Sequence, residues 1–208
     1  MVARRLAGGA AIALACAGGA RAQSAADRTS YLVMPLRSAL APSAKVGARR
    51  AGLICAPNGA LRWSEVTPDP ERAAALVARV LRETGLNADV PADDRIGGDP
   101  PPGERRVIGD VTAAEAGACT KQAGVALMLG SRRTIKGRGR IAIRWRIHET
   151  GARWPAQTFL TCSAFEIEGD ANDSRALLDR GVAASARDLA DALGGGARQP
   201  SDCPAPGG

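Results

Sequence analysis

The sequence predicts an α+β fold: a mostly antiparallel sheet with two amphipathic helices packed on one face. Three observations predict it. Residues 69–84 and 172–193 carry apolar stripes at helical spacing. Residues 139–167 alternate apolar and polar as a long hairpin does. Shorter apolar runs lie between breaks rich in Pro and Gly, so the chain reads as strands and helices around one core.

The elements follow in order. "YLVMPLR" (31–37) is a compact apolar run ended by Pro35 and Arg37, and reads as the first strand. Residues 38–50 read as a loop. "GLICAPNGALRW" (52–63) reads as strand, turn, strand, with Pro57-Asn58-Gly59 as the turn and Cys55 buried at a strand end. In "TPDPERAAALVARVLRETGL" (67–86), Asp69 suits the N-cap, Pro70 the first turn and Glu71 the positive end of the helix dipole. Ala73, Leu76, Val77, Val80 and Leu81 form its apolar stripe, and Gly85 the left-handed C-cap with Leu86 folding back. Residues 91–104 hold a Pro- and Gly-rich loop. "RRVIGDVTAAEAGACT" (105–120) reads as a strand with Val107, Gly109 and Val111 on one side. In the hairpin 139–167, Glu149-Thr150-Gly151 supplies the turn. The closing helix buries Leu178, Val182, Ser185, Leu189 and Ala192, and residues 194–208 form a flexible tail.

At 208 residues the chain fits one domain of residues 23–193 between a leader and that tail. The leader is read from "MVARRLAGGAAIALACAGGARAQS". Arg4 and Arg5 precede an apolar run, and Ala20-Arg21-Ala22 is a small-x-small cleavage site that leaves Gln23 first. The run is too short for a bilayer-spanning helix, and no later stretch approaches that length, so a soluble periplasmic protein is expected. The alternative is a lipoprotein anchored through Cys16, since Ala13-Leu14-Ala15-Cys16 distantly resembles a bacterial lipobox. High Ala, Gly, Pro and Arg fit a high-GC bacterial genome.

Export explains the cysteines. Cys55, Cys119, Cys162 and Cys203 survive cleavage, and an oxidising compartment points to two disulfides, with three pairings open. Cys55 and Cys119 both lie in or at the end of core strands, so they are paired. Cys162, in the return strand of the hairpin, then joins Cys203 and pins the tail. No spacing is CxxC and the chain has one histidine, which argues against a zinc site.

Catalytic motifs are scarce. There is no GxSxG elbow, HExxH, P-loop or dinucleotide fingerprint, so no cofactor is expected. Asp93, Asp94 and Asp99 lack the spacing of a calcium loop and read as turn residues. His148 is the lone histidine. Asp110 and Glu115 are the nearest candidates for a paired-carboxylate site, with surface acids the simpler reading. A small secreted hydrolase is therefore the runner-up function.

Charge is distributed unevenly along the chain. Between Glu115 and Glu149 there is no acid, and eight basic residues: Lys121, Arg132, Arg133, Lys136, Arg138, Arg140, Arg144 and Arg146. From 139 to 148, Ile141, Ile143, Trp145 and Ile147 alternate with Arg140, Ala142, Arg144, Arg146 and His148. Period two places the first set on the core side and the arginines on a wet, positive side. Such a face concentrates anionic ligands, and the fork of arginine suits phosphates. Arg132, Arg133, Arg138, Arg140, Arg144 and Arg146 are the candidate ligand-binding residues. Export and the lack of stacked aromatics argue against nucleic acid. An envelope protein, lipid A phosphates and phospholipid head groups remain as partners, with outer-membrane association a further option.

The strand "YLVMPL", helix 69–84, the strand "RVIGDVTAAE", the hairpin and the closing helix together resemble the small exported α/β domains of Gram-negative envelope proteins, of the TolB amino-terminal or curli secretion lipoprotein type. That resemblance implies a non-enzymatic accessory or assembly module of the cell envelope.

Overall fold

The computed structural model describes residues 29–92, 103–122, 133–170, 177–196 and 203. The expected leader and its cleavage site, Cys16, Asp93, Asp94, Asp99, Arg132 and most of the tail lie outside the described residues.

Among the described residues, eight strands form one sheet, with three helices. The strands are β1 (Ser30–Val33), β2 (Arg37–Ser38), β3 (Lys45–Ala51), β4 (Ala56–Arg62), β5 (Asn87–Asp89), β6 (Glu104–Gln122), β7 (Arg133–Glu149) and β8 (Gln157–Asp170). The helices are α1 (Trp63–Val66), α2 (Pro70–Glu83) and α3 (Asp179–Leu193).

The α+β class stands, but the sheet is mixed, which corrects the expected mostly antiparallel one. Strand β6 is the spine. Along one edge it takes β1, β2 and β3 in succession, all parallel. Along the other it takes β7 antiparallel over its whole length, and β8 continues the meander. β1 also pairs parallel with β5, and β3 antiparallel with β4. Four of the seven pairings are thus parallel. The reason is that β1, β2 and β3 all run in the direction of β6, while the hairpin β3–β4 is the reversal before it.

The core lies between the sheet and the two long helices. Asp69 caps α2, its carboxylate accepting from the Arg72 N–H at 2.9 Å. Gly85 takes φ +90° at the other end, and the Leu86 N–H returns to the Leu81 carbonyl at 3.0 Å. Ala73, Val77, Val80 and Leu81 are buried against the sheet. α3 and its cap bury Leu178, Val182, Ser185 and Leu189 as expected, while Ala192 is only half-buried, and Gly181 lets Phe165 and Ile141 approach its backbone. Arg72 and Asp179 join the two helices at 2.7 Å. On β7, Ile141, Ile143, Trp145 and Ile147 are fully buried. The Trp145 indole donates to Thr161 at 2.9 Å and to Ser185 at 3.3 Å, so this fully buried side chain is also polar-satisfied.

Two local readings are corrected. Residues 45–51, expected as loop, form β3. The turn expected at Pro57–Gly59 sits instead at 52–55, where Gly52 has φ +82° and Cys55 φ +52°, so Cys55 is half-buried in a turn and not buried at a strand end. The Cys55 N–H closes it by donating to the Gly52 carbonyl at 3.3 Å. Pro57-Asn58-Gly59 lie inside β4, an edge strand whose ladder shifts register between Ala48 and Arg50. An edge tolerates proline because its N–H side faces away from a ladder. Both predicted disulfides are present, Cys55–Cys119 with 5.5 Å between Cα atoms and Cys162–Cys203 with 5.0 Å.

Candidate functional site

The arginine-bearing face of β7 is the side of the sheet away from α2 and α3. Alternation puts Lys136, Arg138, Arg140, Ala142, Arg144, Arg146 and His148 there, opposite the buried isoleucines. β6 contributes Arg106, Ile108 and Asp110 to that face, then Ala113, Glu115, Gly117 and Cys119. The parity changes because the ladder with β7 shifts between Val111 and Ala113, a bulge where the Thr112 hydroxyl donates to the Ala142 carbonyl at 3.3 Å. β8 contributes Thr158, Leu160, Cys162, Ala164, Glu166 and Glu168.

The candidate arginines divide into groups. Arg138, Arg140 and Arg144 are exposed and make no ion pair with a described residue. Arg146 is half-buried and bound to Asp110 at 2.6 Å. Arg133 begins β7, and Arg132 lies outside the described residues. Sequence reading missed the acids that the register brings in. Glu115 stands directly opposite Arg140, Glu166 opposite Arg138, and Glu168 opposite Lys136. The face is therefore less positive than a window along the chain implies. Glu166 and Glu168 were visible as alternating residues of β8, but which cation each would face depends on register.

Lys136 and Glu168 do meet, at 2.8 Å. Their hydrogen bond, followed by the charge of Glu168, raises the ammonium above its ordinary range, and the same contact lowers the carboxylate. Arg138 and Arg140 instead line an open concavity of about 920 Å³. Glu115, Gly117, Ala164 and Glu166 line it with them, and Lys45 joins from β3. Gly117 and Ala164 leave the middle low because neither carries a long side chain. Three cations and two carboxylates around one hollow can hold an anionic group.

His148 lies at the far end of the same face, directly opposite Arg106. Burial lowers its pKa, and the neighbouring guanidiniums of Arg146 and then Arg106 lower it further. Its Nε2 is buried without a partner among the described residues. Asp110, one of the two candidate acids, is held by Arg146. The Ser163 hydroxyl donates to Asp188 at 2.6 Å, but on the helix side of the sheet, away from His148. Among the described residues no serine, histidine and acid converge, and no group of three His, Cys, Asp or Glu is placed to hold a metal.

No family model matches the sequence, and no curated protein matches it. Among solved structures, a Xanthomonas campestris protein described as DUF330 covers 80% of this chain and 85% of its own, at 12% identity and a TM-score of 0.43. A second, described as uncharacterized, covers 80% and 92% at 10% identity and a TM-score of 0.35. At these scores neither likeness bears on function. Neither description names a TolB or curli secretion protein. The two disulfides fit an oxidising, exported location, and among the described residues no helix is long and apolar enough to cross a membrane.

Proposed function

We propose that the chain is an exported, non-enzymatic accessory or assembly module of the cell envelope, and that it holds an anionic envelope component on the helix-free face of its sheet. The setting is the periplasm, in the manner of the small exported envelope domains that the sequence resembles. The partner is a phosphate-bearing one, such as lipid A or a phospholipid head group. One observation carries the reading: Arg138 and Arg140 line the open concavity, Arg144 follows on the same face of β7, and none of the three makes an ion pair with a described residue. Exposed guanidiniums left unpaired are available to phosphate oxygens, which they bind two at a time.

The test is retention on immobilised lipid A and on phosphatidylglycerol surfaces. Replacing Arg138, Arg140 and Arg144 by Gln should abolish retention while moving stability by no more than about 0.5 kcal/mol, as for other exposed positions. Wild-type retention should weaken steeply with salt, because screening shortens to about 8 Å at physiological ionic strength. Arg146 is left out because it holds Asp110. Unchanged retention in the triple variant overturns the proposal.

A further inference from the structure

The β3–β4 turn points to a second contact. Leu53 is 84% exposed and Ile54 88%, two adjacent aliphatic side chains standing in water at the tip of a tight turn. Single exposed apolar residues are ordinary, whereas an adjacent pair at a tip forms a small contiguous apolar patch. This tip is also held rigidly. The Gly52 N–H donates to the Thr120 carbonyl at 3.1 Å, and Cys55 is tied by its disulfide to Cys119 in the spine strand. Cys55 sits at φ +52°, a left-handed conformation that side chains with a Cβ rarely adopt. Such conformations persist only where the surroundings impose them, and they cluster at binding sites. A strained, cross-linked turn that presents two apolar side chains outward gains nothing for the core.

The charges around the tip identify the surface it fits. Arg50, in β3 two residues before the turn and opposite Cys119, is exposed and makes no ion pair with a described residue. Lys121, one residue past Thr120, is likewise exposed and makes no ion pair with a described residue. No acid lies between Arg49 and Ser64. Apolar side chains at a tip with cations set behind them match an anionic bilayer, whose acyl boundary takes the first and whose phosphates take the second. The concavity centred on Ala116 lies about four residues back along β6, roughly 13 Å at strand rise, so it would stand just above the head groups.

We infer that Leu53 and Ile54 insert into the surface of an anionic phospholipid membrane, with Arg50 and Lys121 on its phosphates. The inference rests on the envelope reading above for the location, but on different residues.

The experiment uses the exported protein and vesicles of phosphatidylglycerol with phosphatidylethanolamine, against phosphatidylcholine alone. The anionic vesicles should slow amide exchange of residues 52–55. The double variant Leu53→Ser/Ile54→Ser should bind them at least about tenfold more weakly, as loss of two partly buried aliphatic side chains requires. Its melting temperature should match wild type. Arg50→Gln/Lys121→Gln should narrow the preference for phosphatidylglycerol over phosphatidylcholine. Equal binding by wild type and the Leu53/Ile54 variant overturns the inference, as does unaltered exchange at 52–55. A variant that melts lower, or changes oligomeric state, also overturns it, since the tip then contacts this chain or a second copy. If the Arg138/Arg140/Arg144 variant loses lipid A while tip insertion persists, the two proposals are separated and only the first is tied to the concavity. If the tip fails while lipid A retention holds, only the second falls.

Discussion

Trp145 and Gly109 face each other across β6 and β7, and their pairing makes a quantitative test of the core. A Cβ added at Gly109 would lie 2.5 Å from the Trp145 ring and 2.6 Å from Leu36 Cδ1, closer than atoms can approach. Gly109→Ala must therefore push the indole aside, and such overpacking costs about 1–3 kcal/mol. Trp145 is fully buried, so Trp145→Ala should cost about 3–5 kcal/mol. Thr161 and Ser185 lose the indole donor but keep each other, so no orphaned hydroxyl adds to that figure. With the ring gone, the methyl added at position 109 has space, Leu36 can shift aside, and the cost of that methyl should fall to near zero. The double variant should then be about 1–3 kcal/mol more stable than the two single losses predict. Urea denaturation followed by far-ultraviolet circular dichroism, with disulfides intact, reads all four species. In melting terms Trp145→Ala alone should lower the midpoint on the order of 10 °C. Additivity within about 0.5 kcal/mol would show that Gly109 is not there to admit the indole, and the packing argument would fail.

Two further outcomes concern His148 and the disulfides. His148 is the chain's lone histidine, so its proton resonance titrates alone, and its midpoint should lie below the ordinary 6.5 because burial and the adjacent Arg146 and Arg106 disfavour the charged form. The unfolded chain then takes up the proton first as pH falls, so this group lowers stability from about pH 6.5 down to its folded midpoint, and His148→Gln should remove that part of the pH dependence; a midpoint at or above about 6.5 refutes it. The disulfides close separations of 64 and 41 residues, so Cys55→Ser/Cys119→Ser and Cys162→Ser/Cys203→Ser should each cost about 4 kcal/mol by chain entropy, and a double variant as stable as wild type would refute that bridge's role.

Much of the fold was legible where local signals agree. Asp69, Pro70 and the stripe Ala73–Leu81 mark α2, and the alternation Ile141–Ile147 fixes which side of β7 is dry. β3 was not legible because "KVGARRA" holds one large apolar residue, Val46, and owes its structure to pairing with β4 and β6. The parallel pairings were not legible either. They join residues far apart in the chain, such as Leu32 with Arg106, and no local signal encodes that choice. The arginine face was legible as a face but not as a charge. A window along the chain sees the cations of β7, whereas the register sets Glu115, Glu166 and Glu168 across from them. The exposed tip at Leu53 was hidden by Pro57-Asn58-Gly59, the stronger turn signal in the same stretch.

The spine role of β6 has a consequence for the order in which the chain acquires structure. β6, β7 and β8 form a meander of successive strands, so their ladders can zip up from the connections outward as soon as they are together. β1, β2 and β3 depend on a template that is synthesised later. Loop closure over that distance slows folding, and until it happens the run Tyr31–Leu36 has only β5 and α2 beside it and lacks its β6 neighbour. In a vectorial process, whether synthesis or passage through a membrane, the first part of the domain to emerge is the last to settle. Its sticky segment then lacks that neighbour for the whole interval, which is the window in which a holding chaperone would matter most.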